Sequence, residues 1–292
     1  MNKIQFLSDA RVKAFIEFLI TELPGIRINL QIKRSSKVPG GINHCVYGFE
    51  ALLSEYKWNS NYINGLGHKI SASDWSSTRV LLSGLRKQLN HACNISSNKL
   101  ALETCLQILK WGGDRNSKVG ATIDLNQLSK KNALVDYLQS SKHAFAEDDL
   151  SSPNLKEVIF TGSMWAKIYA LNSENSLPIY DSRVAMAIVG LKRRFDKSLG
   201  EDDNKYEDPL DFAVPSGTNW KRNANYFPIL KSNKRLIKDD LRWNHDTLKL
   251  SWILDEVIDQ STLLEQQGNR NKRKHAFEAC LFLLGYDLRA IS

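Results

Sequence analysis

The sequence lacks the features of a transmembrane helix, of a signal peptide and of a nucleotide-binding loop. It contains no uninterrupted apolar run of about 18 residues, so no transmembrane helix is predicted. The opening residues, MNKIQFLSDARVKAF, lack the basic, apolar and small-residue order of a signal peptide, and we expect a cytoplasmic protein. No GxxxxGKS/T motif is present, so no nucleotide cofactor is predicted.

Cysteine and histidine are few and scattered. The chain has four cysteines and six histidines, with no CxxC pair and no Cys/His cluster. This spacing argues against a zinc site and against a four-cysteine iron–sulfur cluster. We therefore predict no metal and no other cofactor, with cysteines that are reduced and mostly buried.

What the chain does have is apolar content and positive charge. Hydrophobic residues make up 42% of the sequence, which is enough for a folded core. Lysine and arginine number 40 against 32 acidic residues, a formal net charge of +8. A positive surplus attracts polyanions, and phosphate contacts supply much of the affinity of DNA-binding proteins.

The apolar pattern predicts a mainly α fold. Apolar residues at helical spacing indicate helices over 8–22, 74–92, 98–111, 126–139, 163–172, 182–196, 246–266 and 271–284. The stretch IRINLQIK, residues 26–33, alternates like a strand. Residues 200–245 are polar and contain three prolines, which indicates a long ordered excursion.

Residues 158–195 are the segment with the most chemical information. They read as a turn, a helix, a loop and a second helix, with Asp181 at the N-terminus of the second helix. A carboxylate there, beside a cleft, can stabilise the cationic sugar that forms as a base departs. The alternative is that Asp181 only caps its helix.

This segment resembles the core of the helix-hairpin-helix (HhH-GPD) DNA glycosylase superfamily. The motif stands here as Pro178-Ile179-Tyr180-Asp181-Ser182-Arg183-Val184, with Ser163 eighteen residues before Asp181, at the position from which lyase-competent members attack the sugar with a lysine. Residues 109–113 (LKWGG), 165–169 (WAKIY) and 277–286 (FEACLFLLGY) resemble the branch with the 8-oxoguanine-glycosylase fold. Within that branch the chain is similar to bacterial antiviral glycosylases that remove glucosylated hydroxymethylcytosine from phage DNA.

The resemblance implies a two-lobed helical fold with the active-site cleft between the lobes. It implies an N-terminal segment 1–50 packed on the core, one lobe over 51–180 and a second over 181–292. The implied partner is double-stranded DNA, namely phage DNA with modified bases, and the implied enzyme is a monofunctional N-glycosylase that flips out its target. The family hairpin Leu-Pro-Gly-x-Gly is replaced here by Ile159-Phe160-Thr161-Gly162-Ser163, so phosphate binding at Gly162 is not expected to follow the family pattern.

Several side chains are candidates for the site. Asp181 is assigned to sugar stabilisation and water activation, while Lys167, one turn after Ser163, either attacks the sugar as an amine or pairs with a carboxylate or phosphate. The candidates for stacking on a flipped base are the aromatic residues Trp111, Trp165, Tyr180, Trp220 and Tyr226, with core packing as the alternative for each. DNA contact is assigned to Gly162, Ser163, Arg183, Lys221 and Arg222. For the run Lys192, Arg193 and Arg194, and for the basic start of the last helix, Arg270, Lys272, Arg273 and Lys274, the alternatives are DNA contact and a solvated helix surface.

Three other functions remain open from the sequence. One is an 8-oxoguanine-type repair glycosylase with AP lyase activity. Another is a helical DNA-binding protein that has lost catalysis, which the degenerate hairpin suggests. The third is a metal-dependent nuclease that uses Asp181 with the acidic residues of the 201–211 loop, Glu201, Asp202, Asp203, Glu207 and Asp208.

Overall fold

The computed structural model describes residues 1–114, 120–201, 208–215 and 239–291 of the chain. Within these ranges the chain forms twelve α-helices and two small antiparallel sheets, which confirms the mainly α prediction. The candidate DNA-contacting residues Trp220, Lys221, Arg222 and Tyr226 lie outside the described residues, as does most of the polar 200–245 segment.

The first part of the chain mixes helices with strands. Its elements are α1 (Lys3–Ser8), α2 (Ala10–Glu22), β1 (Arg27–Ile32), β2 (Ile42–Tyr47), α3 (Gly48–Ser54), β3 (Lys57–Ile63), β4 (Lys69–Asp74) and α4 (Trp75–Asn94). The rest is helical: α5 (Asn98–Gly112), α6 (Ala121–Lys130), α7 (Leu134–Ala146), α8 (Pro153–Lys156), α9 (Ser163–Asn172), α10 (Ser182–Ser198), α11 (Asp240–Gln260) and α12 (Arg270–Leu284). Short 3-10 turns follow α11 and α12.

The two sheets are two-stranded hairpins. In β1 the alternation predicted from IRINLQIK is confirmed, because Ile28, Leu30 and Ile32 point into the core while their neighbours are exposed. β1 pairs with β2 from Arg27 opposite Tyr47 to Ile32 opposite Ile42. The β3–β4 hairpin has no clear signal in the sequence, since one of its inward positions is polar Ser60.

Helix boundaries follow local signals where a cap is present. Asp74 caps α4 by accepting a hydrogen bond from Ser77 N at 2.8 Å, and α5 ends at Gly113 with a left-handed φ of 89°. The prediction of one helix over 126–139 is wrong. The chain turns between α6 and α7, with Asn132 at a φ of 53°, so two helices pack separately there. The predicted helix over 8–22 is confirmed as α2, which begins at Ala10 because Asp9 caps it.

The buried apolar side chains form a single connected cluster that draws on all three predicted segments, 1–50, 51–180 and the described part of 181–292. The segment boundaries and the two-lobed arrangement stay predictions. α9, α10 and α12 are buried on nearly every face and form the centre of this cluster.

All four cysteines are free and three are buried, as predicted. None of the helices in the described ranges has the length and apolar character needed to cross a bilayer.

Close backbone contact joins α10 to the end of α12. A Cβ atom on Gly285 would lie 1.8 Å from the carbonyl oxygen of Arg183, so only glycine fits at this crossing. The contact fixes the first turn of α10, and therefore Asp181, against the helix that supplies the opposite wall of the site described next.

Candidate active site

A cavity of about 370 Å³ opens where the end of α5 and the first turns of α9 and α10 meet one face of α12. Its size is within the range of small-molecule sites. Its apolar wall is mostly aromatic: Tyr56, Trp58, Trp75, Trp111 and Phe282. Its polar lining contains Ser163, Lys167, Asp181, Arg183, His275 and Glu278. Five of the predicted site residues, Trp111, Ser163, Lys167, Asp181 and Arg183, therefore meet in one place.

Asp181 caps α10 and lines the cavity at the same time. Its Oδ1 accepts hydrogen bonds from Arg183 N at 2.9 Å and from Val184 N at 3.2 Å. Its Oδ2 lies 3.7 Å from Lys167 Nζ, and the residue is only 5% exposed. The capping bonds hold the carboxylate in a fixed orientation, so the two interpretations of Asp181 are compatible.

Lys167 is buried opposite Asp181. Its Nζ donates a hydrogen bond to the carbonyl oxygen of Ser163 at 2.8 Å. Burial lowers the pKa of the Lys167 ammonium and Arg183 adds to this effect, while Asp181 and Glu278 oppose it. The lysine stem lies against α5, where a Cβ on Gly112 would come within 2.7 Å of Lys167 Cδ. Gly112 therefore leaves the space that the lysine occupies.

Glu278 is a buried carboxyl that sequence reasoning did not select. It lies on α12 and is 7% exposed. Burial raises its pKa to about 8, and the negative charge of Asp181 acts in the same direction, while Lys167 opposes the shift. At neutral pH the side chain is therefore mainly protonated, and it presents a hydrogen-bond donor to the cavity.

His275 precedes Glu278 by one helical turn and is neutral. Burial lowers its pKa to about 3, and the nearby cations Arg86 and Lys274 add to the shift. Its Nε2 lies 2.8 Å from Arg86 Nη2. Because an arginine can only donate, Nε2 is the acceptor and the ring proton is on Nδ1, 3.9 Å from Glu278 Oε2. Arg86 also donates to the carbonyl of Ala170 at 2.9 Å, so it links α4, α9 and α12.

Arg183 is held by the aromatic wall. Its guanidinium carbon lies 4.0 Å from the ring centroid of Tyr286, 4.6 Å from that of Phe282 and 5.3 Å from that of Trp58. The rings are also in contact with each other, since Trp58 and Phe282 meet edge to face at 5.2 Å. The result is a preformed apolar wall with a fixed positive charge at its edge.

Trp111 has two features at the cavity, a carbonyl oxygen that joins two elements and an indole N–H group. Its carbonyl oxygen accepts from Trp58 Nε1 at 2.9 Å and from Ser60 Oγ at 3.2 Å, which ties α5 to β3. Its own indole Nε1 is buried and has no hydrogen-bond partner among the described residues. A buried donor without a partner is costly, so this atom is a candidate contact for a ligand in the cavity.

Two aromatic residues predicted to stack on a base lie elsewhere. Trp165 is 1% exposed, stacks on Phe160 at 5.1 Å and donates from Nε1 to Asp124 Oδ2 at 3.1 Å. Tyr180 is fully buried and donates its hydroxyl to the carbonyl of Ala213 at 2.6 Å. Both side chains are enclosed by the core, so the stacking role predicted for them is corrected. Gly162 lies just outside the cavity, as the N-cap of α9 with a φ of 107°.

Two of the three basic residues in the run after Asp181 form ion pairs within the protein. Lys192 is buried and pairs with Asp196 at 2.6 Å and with Asp208 at 2.7 Å. Arg11 adds a second cation to the same two carboxylates. Arg194 pairs with Glu22. This network is structural: it joins α2, α10 and the segment after residue 208.

The acidic residues of the nuclease hypothesis are also engaged where they are described. Asp208 is neutralised by Lys192 and Arg11, and Glu201 pairs with Arg11 at 2.7 Å. Asp202, Asp203 and Glu207 lie outside the described residues. Across the described ranges no group of three histidine, cysteine or acidic side chains has the geometry of a metal site.

Most of the basic residues at the start of the last helix also form bonds within the protein. Lys274 is buried and pairs with Asp255 at 2.8 Å, while Arg270 pairs with Asp259 at 2.6 Å. Arg273 donates to the carbonyls of Ser261 and Leu263. Lys272 is exposed. Of the four candidate DNA contacts, three are therefore committed to internal bonds.

Sequence reasoning missed Glu278, His275 and the β3 residue Trp58. For Glu278 a signal was present, because it is the one acidic residue inside the apolar run AFEACLFLL, and a charge in such a run is often functional. Trp58 and His275 carry no such signal, since only the folded chain brings them to the cavity. Comparisons with protein-family models, with curated proteins and with solved structures give no match for this chain.

Proposed function

We propose that this chain is a DNA glycosylase that takes a flipped-out modified base into the cavity and releases it, leaving an abasic site. The observation that carries the proposal is the pairing of Asp181 Oδ2 with Lys167 Nζ at 3.7 Å inside a cavity with aromatic walls. Aromatic walls suit a base, because stacking on such rings contributes about 1–3 kcal/mol per base. The resemblance of residues 158–195 to helix-hairpin-helix glycosylases supports the same assignment.

Asp181 stabilises the sugar in this proposal. As the bond between C1′ and the base nitrogen breaks, its electron pair leaves with the base and the sugar becomes an oxocarbenium-like cation. The Asp181 carboxylate is fixed by two backbone N–H groups and therefore acts without reorganisation. A water molecule then adds to C1′ and gives its proton to this carboxylate.

Glu278 assists the departing base. Because its carboxyl is mainly protonated at neutral pH, it can transfer a proton to the base as the bond breaks. Trp111 Nε1, which is buried and without a partner in the described part of the chain, supplies a second donor. The two donors and the aromatic walls together would select a flat base with hydrogen-bond acceptors.

Lys167 acts as the partner of Asp181 in a monofunctional enzyme. A specific observation also favours a second route: the lowered pKa of Lys167 increases the fraction of free amine that can attack C1′. That attack would produce an imine with the sugar and permit strand cleavage. Borohydride reduction distinguishes the routes, because it traps an imine as a covalent protein–DNA adduct and leaves a hydrolytic enzyme unattached.

The proposed substrate is phage DNA with modified cytosine, and the proposed role is antiviral defence. Both follow from the resemblance. An 8-oxoguanine repair enzyme is the alternative with the same site. Mass spectrometry of bases released from phage genomic DNAs with different cytosine modifications, and from duplexes with 8-oxoguanine, separates the two.

The substitution Asp181→Asn tests the mechanism. We expect base release to fall by about 10³-fold, since an amide cannot stabilise the cation or accept the proton. Asp9→Asn is a matched control, because Asp9 also caps a helix with two backbone N–H bonds but lies outside the cavity. Full activity of the Asp181 variant would refute the mechanism. DNA binding without release of any base would favour the inactive DNA-binding protein.

A further inference from the structure

A second groove adjoins the cavity. It has a volume of about 580 Å³ and runs between α4 and the first turn of α12. The groove and the cavity share Trp75, Leu82 and His275, so the two spaces are neighbours along one surface. A ligand that enters the cavity from this side would extend into the groove.

The charges that line the groove have one sign. Arg79 and Lys87 lie on α4, eight residues apart, which corresponds to about 12 Å along the helix. Lys272 faces them from the first turn of α12. No carboxylate belongs to the described lining, and these three cations have no ion-pair partner among the described residues.

The neighbouring basic residues behave differently. Arg86, Arg270 and Lys274 donate to carbonyls, carboxylates or the ring of His275 within the protein. The groove cations are therefore a separate set, without an ion-pair partner in the ranges that the structure describes. Three positive charges around one groove repel each other, and a polyanion would relieve this repulsion.

The floor of the groove lets a ligand come close to the backbone of α4. Gly84 lies in the middle of α4, where a glycine is about 1 kcal/mol less favourable than an alanine, and no atom lies within 4 Å of a Cβ built on it. Ser83 beside it is exposed. At these two positions between the cations, α4 therefore has little or no side chain, and a sugar–phosphate chain can approach it closely.

We propose that this groove binds the phosphodiester backbone of the DNA strand whose flipped base occupies the cavity. The inference rests on the proposed function. It gives the protein a phosphate-binding surface on α4 and α12, separate from the hairpin with a single glycine. Arg79, Lys87 and Lys272 each contact a phosphate oxygen and release counterions when DNA binds.

The test is the salt dependence of DNA binding. Fluorescence anisotropy of a labelled duplex with a non-hydrolysable abasic analogue gives Kd over a series of KCl concentrations. Each phosphate contact contributes about 0.9 to the slope of log K against log salt. We expect the triple variant Arg79→Gln, Lys87→Gln, Lys272→Gln to reduce the slope by about 2 to 3.

A matched triple removes the same charge elsewhere. Arg34→Gln, Lys99→Gln, Lys131→Gln replaces one arginine and two lysines that are exposed and do not line the groove. We expect its slope to change by less than about 0.5. Equal effects of the two triples, or no effect of the groove triple, would overturn the proposal. It would also be overturned if a polyglutamate peptide of matched charge competed as well as DNA.

A second variant adds charge without disturbing the fold. Gly84→Glu places a carboxylate in open space on the groove floor and improves helix propensity, so it should fold and bind DNA more weakly. Unchanged DNA affinity of this variant would contradict the proposal. Base release by wild-type protein is measured at saturation on a duplex of the same sequence that carries a modified cytosine in place of the abasic analogue. If DNA binds through the groove and no base is released, only the glycosylase function is refuted. If base is released and the groove triple has the same salt slope as wild type, only the groove proposal is refuted.

Discussion

Replacing Glu278 with glutamine should change how the stability of the protein depends on pH. The pKa of Glu278 is about 8 in the folded protein, against an ordinary value of 4.5. Between these values the folded state retains a proton that the unfolded state has released. The free energy of unfolding therefore falls as pH rises through this window. At full deprotonation above pH 8 the loss amounts to about 5 kcal/mol, with about 3 kcal/mol of it present by pH 7.

The Glu278→Gln variant lacks this loss, because its amide stays neutral while it keeps the shape of the protonated acid. We expect similar stability of variant and wild type at pH 5, and a variant that is more stable by several kcal/mol at pH 9. Urea unfolding followed by tryptophan fluorescence at pH 5, 6, 7, 8 and 9 measures the difference. Asp246, whose pKa is raised to about 6 by burial, contributes equally to both proteins and cancels in the difference.

Glu103→Gln is the control for removal of a carboxylate, since Glu103 is exposed on α5. Its effect on stability should stay nearly constant over the same pH range. If the difference in stability between Glu278→Gln and wild type does not grow with pH, then Glu278 is not a buried carboxyl that keeps its proton in the folded protein. The same variant tests the role in base release that we propose for Glu278. Wild-type activity should decline as pH rises through about 8, and this decline should be absent from the slower variant.

Three further substitutions test the structural basis of the site. Gly285→Ala places a Cβ 1.8 Å from the carbonyl oxygen of Arg183 and should lower the free energy of unfolding by about 3 kcal/mol or more, so a thermal midpoint near that of wild type would contradict the close crossing. Gly112→Ala should displace Lys167, whose Cδ would lie 2.7 Å from the new Cβ, and reduce base release with less effect on stability; unchanged kinetics would show that the lysine adjusts freely. Lys192→Met leaves two buried carboxylates with one cation fewer and should cost about 3 kcal/mol in urea unfolding, whereas a change below about 1 kcal/mol would indicate that the network is dispensable.

Local features of the sequence were sufficient for the elements that carry Asp181 and Lys167. The bounds of α9 and α10 follow from apolar periodicity and from an aspartate placed to cap the second helix. These signals act between residues a few positions apart, so a single sequence contains them. The alternation of β1 belongs to the same class. The break between α6 and α7 does not, because no proline or glycine marks it and the apolar pattern continues through it.

Only the tertiary structure decided which side chains form the site. Trp111 and Trp165 look alike in the sequence, yet the first lines the cavity and the second is enclosed by Phe160 and Asp124. Lys192 looks like a surface cation, yet two remote carboxylates hold it in the core. The protonation of Glu278 depends on burial beside Asp181, which comes from a different helix. Such properties depend on the solvent and charge that distant segments remove or supply, and these are set only when the helices have packed.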